Sequence, residues 1–393
     1  MIIWIYHTSS IMNWFVIGLM IAIIFCGYLN DRNKYLPFLI MAIFFILTCF
    51  SYDANDYINY SRMYNLAGNG KEVNYEILFV QLMRISNFIG LSYDQFRMAI
   101  IVIELTLIYS TVKRYTMNCS MMWALFIIYP GWLLTTLLRH SLALSLIIFG
   151  TRYIELDGNR KQTVKLVICI VLASLIHSSY WVFLALILVN LLDPDKILKI
   201  AVIIVWITGV FVLIFGNIRP VVELISILPI RTNLINKYFN GYHQNIVGML
   251  YSCFRQLLLI IYGLVPTYYY HKKIKERDTD YISKKDFLSR KFMQTILPIN
   301  YCSLFVLCEA FFASNSSRLN QVIFVINLIA WVICINEYRY LGSRYIQREK
   351  LYLKSIAIVM PIIFSILQCT FESKVVFDNV LKMIFQTNTF LRW

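Results

Sequence analysis

Apolar runs of roughly a membrane's width, parted by short polar breaks, recur along the chain. The first covers about Ile11–Tyr28. A charged break at Asp31–Lys34 separates it from a second, which ends near Phe50. The pattern then changes, because residues 51–96 are too polar to span. Within them Ile77, Leu78, Val80, Leu82, Ile85, Phe88 and Ile89 recur at near-helical spacing. That spacing predicts an amphipathic helix over about Tyr75–Ile89, lying on the membrane face. Apolar runs resume at about Met98–Thr111, Met121–Leu138 and Ser141–Tyr153. Two short ones follow, Val164–Ile176 and the segment from His177-Ser178-Ser179 to Asn190, and they suggest a broken or re-entrant pair lining a polar cavity. The remaining runs are Ile200–Phe215, Met249–Tyr269, Phe292–Phe312, Leu319–Ile335 and Leu351–Cys369. The pattern predicts an all-α polytopic integral membrane protein with about 11–12 transmembrane helices. It forms one membrane-embedded domain over 1–393, with long outer loops at about 51–96 and 216–248 and no visible internal repeat.

Composition agrees, with 59% hydrophobic and 15% charged residues, against about 25% charged in soluble domains. The first run has no basic segment before it and no small-residue cleavage site after it, so it reads as a retained helix, not a signal peptide. A net charge of +15 invites a nucleic-acid reading. The placement of the charges argues otherwise. Assigning alternate breaks to two sides puts 23 of the 36 Lys and Arg on one side, in short loops. Basic short loops stay in the cytoplasm, so no nucleic-acid partner is expected. The two long loops and the bends at Arg139 and His177 then face outward, which excludes chemistry needing cytosolic ATP or nucleotide sugars there. Nine cysteines lack any CxxC or CxxH spacing. No metal site, cofactor or disulfide framework is expected.

Five features fall on that outer face: Asp53–Tyr60, Tyr75-Glu76, Arg139-His140, His177-Ser178-Ser179 and Ser314–Arg318. Arg139 lies between two apolar runs with no acid nearby in sequence, where a cation is costly unless it meets an anion. A planar guanidinium suits bidentate phosphate binding, and free N–H groups at the next helix start would add to it. The plainer reading is an arginine snorkelling to headgroups. Arg318, also at a helix start, is a second diphosphate candidate, joined by His140 and by Arg255. Together such cations would neutralise a diphosphate leaving group. Glu76, Asp53 and His177 are the candidate bases for a hydroxyl nucleophile, and the pattern does not choose among them. Asp56, Tyr57, Tyr60 and Tyr75 are candidate sugar contacts, with an interfacial aromatic belt as the alternative. Loop residues Arg231, Lys237, Tyr238, Tyr242 and His243 are candidates for a lid.

The order of these features resembles the EpsG family, the Wzy-type polymerases of bacterial surface polysaccharides. The resemblance is carried by Asp53 with Tyr57, by Glu76 opening a helix, by Arg139-His140-Ser141-Leu142-Ala143, by His177-Ser178 and by Arg318. Family members have glutamine where His140 stands. The resemblance implies a metal-independent inverting glycosyltransferase of the GT-C class in the bacterial inner membrane, with its active face periplasmic. Donor and acceptor would both be undecaprenyl-diphosphate-linked oligosaccharides, joined into O-antigen, capsule or exopolysaccharide. A Wzz-type chain-length regulator is the usual partner of such enzymes, besides the membrane lipids. A flippase for the same lipid-linked unit and an O-antigen ligase-like transferase are the alternatives. A flippase should carry cations deep in several helices, and here the polar groups gather at one face.

Overall fold

The computed structural model describes residues 2–30, 33–51, 55–156, 159–215, 246–275, 284–312, 318–337, 344–371 and 388. The chain is an all-α polytopic membrane protein. In order, its first helices are α1 (Ile2–Leu29), α2 (Leu36–Cys49), α3 (Asn55–Gly68), α4 (Ile77–Phe88) and α5 (Tyr93–Tyr115). Then come α6 (Cys119–Phe126), α7 (Trp132–Leu134), α8 (Leu138–Gly150), α9 (Arg160–Ile176), α10 (Leu188–Leu191) and α11 (Pro194–Phe215). Last are α12 (Ile246–Lys275), α13 (Lys284–Cys302), α14 (Leu304–Phe312), α15 (Asn320–Glu337) and α16 (Arg344–Phe371).

Four described stretches are long and apolar enough to cross a bilayer: Tyr93–Tyr115, Val247–Lys272, Asp286–Phe311 and Gln347–Thr370. Shorter apolar helices pack among them, including Leu36–Cys49, Cys119–Leu134, Ser178–Leu191 and Asn320–Asn336. Two expectations change in detail. The run Met121–Leu138 is no single helix: a cis Tyr129–Pro130 bond and a wide turn over Ile127–Gly131 break it. Gly131 is required there, because a Cβ would come within 2.7 Å of the Phe126 carbonyl oxygen. The polar stretch 51–96 is also more ordered than a loop, since it holds α3 as well as the expected amphipathic α4.

Helix α15 is the axle. Every side chain from Val322 to Ile335 is buried, so it is apolar on all faces. Its one deep polar residue, Asn327, is fully paired. Asn327 and Asn300 of α13 exchange amide hydrogen bonds at 2.8 and 2.9 Å, and Asn327 also donates to the Leu259 carbonyl of α12 at 3.1 Å. Buried amides without water need such partners.

Helix α5 gives the molecule its two ends. A capping box of Ser92 and Gln95 starts it, and Lys113 and Arg114 lie in its last turn. At the C-terminal end Arg152 binds Ser110 and Thr111, and Ser289 donates to the Tyr115 carbonyl. At the N-terminal end α3 and α4 pack through a cluster of Tyr57, Tyr64, Phe79, Tyr93 and Phe96. The buried Arg97 ties this end to α2, donating to the carbonyls of Thr48 and Ser51.

Candidate functional site

Arg139 opens α8 at the same end of the molecule as α3 and α4. Its Nη1 donates to Glu76 Oε2 at 2.5 Å, and its Nε to the Tyr60 hydroxyl at 3.3 Å. The guanidinium also lies 4.1 Å from the Tyr75 ring centroid. Its other terminal nitrogen, Nη2, engages no hydrogen-bond partner among the described residues. The side chains of Arg139 and Glu76 are 17% and 12% exposed, so the pair borders the surface without being solvated like a loose salt bridge.

Glu76 sits in extended backbone immediately before α4. One carboxylate oxygen holds Arg139. The other accepts from the Ser178 backbone N–H at 2.9 Å and the Ser178 hydroxyl at 3.1 Å. Glu76 therefore joins α4, α8 and the turn after α9. That turn exists because α9 ends at His177, whose backbone is extended (φ −147°, ψ 110°), and a tight 3-10 helix runs from Ser178 to Ile187. The sequence expectation of a broken element here meets this break.

His177 turns its ring toward His140 and Tyr180, at 6.0 and 5.7 Å between centroids. Its Nδ1 is buried and has no hydrogen-bond partner among the described residues. His140 faces inward. Its Nε2 lies 3.1 Å from Gln321 Oε1 of α15, and its Nδ1 lies 3.0 Å from the Tyr180 hydroxyl. The Tyr180 hydroxyl also donates to the His140 carbonyl at 2.9 Å. Both ring nitrogens of His140 thus have partners inside the bundle, where the sequence expectation put it on a diphosphate.

Arg318, immediately before α15, acts electrostatically on Asp56, His140 and His177. Asp56 lies in the first turn of α3, half-buried, within the fields of both Arg318 and Arg139. Burial raises its carboxyl above the ordinary range, and the two guanidiniums pull against that rise. Burial likewise pushes the Tyr75 phenol up to about 12, so Tyr75 presents a neutral ring to Arg139.

Tyr57 donates to Asp94 at 2.9 Å and stacks with Arg97, so it fastens α3 to α5. Arg255 of α12 is buried against Tyr129 and Tyr251. Asp53 and the loop residues Arg231, Lys237, Tyr238, Tyr242 and His243 fall outside the described residues.

Three participants were missed from sequence. Gln321 and Tyr180 carry no local signal, since an amide at a helix start and a tyrosine in an apolar run are commonplace. Glu104 did carry one, being an acid inside the α5 span. It is buried, and one of its carboxyl oxygens accepts from the Ser141 hydroxyl at 2.7 Å.

Comparison with known protein families matches residues 33–382 to the EpsG family. No curated protein and no solved structure matches the chain. The match spans most of the chain, including every described residue around Arg139. The chain belongs to the EpsG family, a family of Wzy-type polysaccharide polymerase-like membrane proteins.

Proposed function

We propose that the chain is a glycosyltransferase that joins lipid-linked oligosaccharide repeat units at the outer face of the bacterial cytoplasmic membrane. Its donor and acceptor are both undecaprenyl-diphosphate-linked glycans. The observation that carries this reading is Arg139. Its guanidinium is oriented on three sides by Glu76, Tyr60 and Tyr75, yet keeps Nη2 unengaged among the described residues, with Arg318 nearby. A fixed cation with spare donors matches a phosphate oxygen better than a headgroup snorkel, which needs no such mounting.

In this reading Arg139 and Arg318 meet the diphosphate and offset the negative charge that grows on it as the glycosidic bond breaks. The polyprenyl tail lies against apolar helix faces. The sugars lie over α3 and the start of α4, and a Wzz-type regulator acts on the same membrane face.

The test is a gel of surface polysaccharide from three strains: intact, deleted for the gene, and deleted but carrying Arg139→Ala at matched protein level. Collapse of the ladder to a single repeat unit on deletion, unrestored by Arg139→Ala, is the expected outcome. Disappearance of the single unit as well would place the protein at flipping or ligation and overturn the reading.

A further inference from the structure

Three acidic or basic side chains were candidates for accepting the nucleophile's proton, and the geometry separates the described ones from a fourth. Glu76 is spent: Arg139 takes one carboxylate oxygen, and the Ser178 amide and hydroxyl take the other. Three of the carboxylate's roughly four acceptor sites are held by structural partners, and a proton there would weaken its grip on Arg139. His177 has a buried, unpartnered Nδ1. A histidine acting through Nε2 normally donates Nδ1–H to an acceptor, and none is provided among the described residues.

Asp56 differs on each count. Among the described residues no hydrogen bond or ion pair engages its carboxylate. It is half-buried rather than sealed. It lies one helical turn before Tyr60, whose hydroxyl accepts from Arg139 Nε at 3.3 Å, and in the field of both guanidiniums that would hold a diphosphate. We propose that Asp56 is the general base of the transfer, and that Glu76 is a positioning residue that aims Arg139. This deepens the polymerase reading and rests on it.

The step balances within the groups named. The acceptor sugar's hydroxyl oxygen forms a bond to the anomeric carbon of the donor glycan. The bond from that carbon to the diphosphate oxygen breaks, and its electron pair leaves with the diphosphate toward Arg139 and Arg318. The hydroxyl proton passes to an Asp56 carboxylate oxygen and is later released to water. The raised carboxyl of Asp56 favours this role, since a base works best when its pKa lies near the working pH. A sugar contact, the role expected from sequence, would need no unspent carboxylate.

The experiment uses the full-length protein in lipid nanodiscs. The substrate is the lipid-linked repeat unit extracted from the deletion strain, and undecaprenyl diphosphate is the binding probe. Asp56→Asn should lower turnover by about 10²–10⁴-fold while KM and the affinity for undecaprenyl diphosphate stay at wild-type values. Glu76→Gln should instead weaken undecaprenyl diphosphate binding, because Arg139 loses its mount. Turnover close to wild type in Asp56→Asn overturns the assignment. So does a loss that appears as raised KM, which would make Asp56 a sugar contact. Should Asp56→Asn not fold, the acid limb of the turnover profile decides. A limb that moves in Asp56→Glu supports the base, and one that stays at its wild-type position overturns it. If the wild type forms no polymer from these units, the polymerase reading itself fails and the base falls with it.

Discussion

A guanidinium gripped through Nε, Nη1 and its flat face can move in few ways, and that restraint distinguishes Arg139 from a charge. Arg139→Lys keeps the charge but loses the fork, the Tyr60 bond and the stacking on Tyr75. Polymer synthesis in membrane vesicles should fall by about 10²–10³-fold, as when a fixed oxyanion donor is removed; a lysine variant that works normally would reduce Arg139 to a headgroup anchor. Asp56 invites a prediction of the opposite sign for stability. Its folded carboxyl titrates higher than in the unfolded chain. The group therefore favours folding fully below its unfolded pKa, and that contribution is lost as pH rises through the folded value. Asp56→Asn should then melt higher than wild type at neutral pH, with the gap closing in acid. A melting temperature lowered at neutral pH would contradict it. A residue that destabilises the fold while serving chemistry is the usual stability–activity conflict.

Among the helices, what was legible in sequence depended on whether a local pattern decided the outcome. The near-helical spacing of Ile77, Leu78, Val80, Leu82 and Ile85 foretold α4, because an amphipathic face is written in one segment. The shortness of the runs around His177 foretold the break there. The interruption at Tyr129–Gly131 was hidden, since Pro130-Gly131 can equally end a helix or kink one, and packing against Phe324 and Phe364 settles it. Helix α3 was hidden too, because its residues are mostly polar and its order comes from aromatic contacts with α4 and α5. Close approach among α12, α13 and α15 gives a prediction at this scale. A Cβ at Gly263 would press on the Asn300 amide and come within 2.8 Å of Asn327 Oδ1. Gly263→Ala should part the paired amides and destabilise the fold by about 1–3 kcal/mol, read as a lowered melting temperature in detergent. Unchanged melting would mean the helices separate freely there.

Across the whole molecule, the candidate site draws on α3, the start of α4, the start of α8, the turn after α9 and the residue before α15. Sequence placed all five on one side of the membrane through the lysine and arginine bias, but it could not say which would touch. The Glu76–Arg139–Ser178 junction spans 102 positions and depends on helix packing. Glu76→Ala should accordingly cost more than a local contact: the turn at Ser178 should become open to amide hydrogen exchange while the far end of α5 stays protected. Protection unchanged at Ser178 would show that the turn holds itself. One consequence concerns how the protein is made. Synthesis runs from the N-terminal side, so Asp56, Glu76, Arg139 and Ser178 are produced long before Arg318 and the axle α15 emerge. A half-translated chain in the membrane therefore lacks both its second cation and the core against which His140 packs. If the proposed transfer is the protein's work, a chain cut short before Arg318 should be inert, because the order of the genetic message withholds that side chain until after the other four are made.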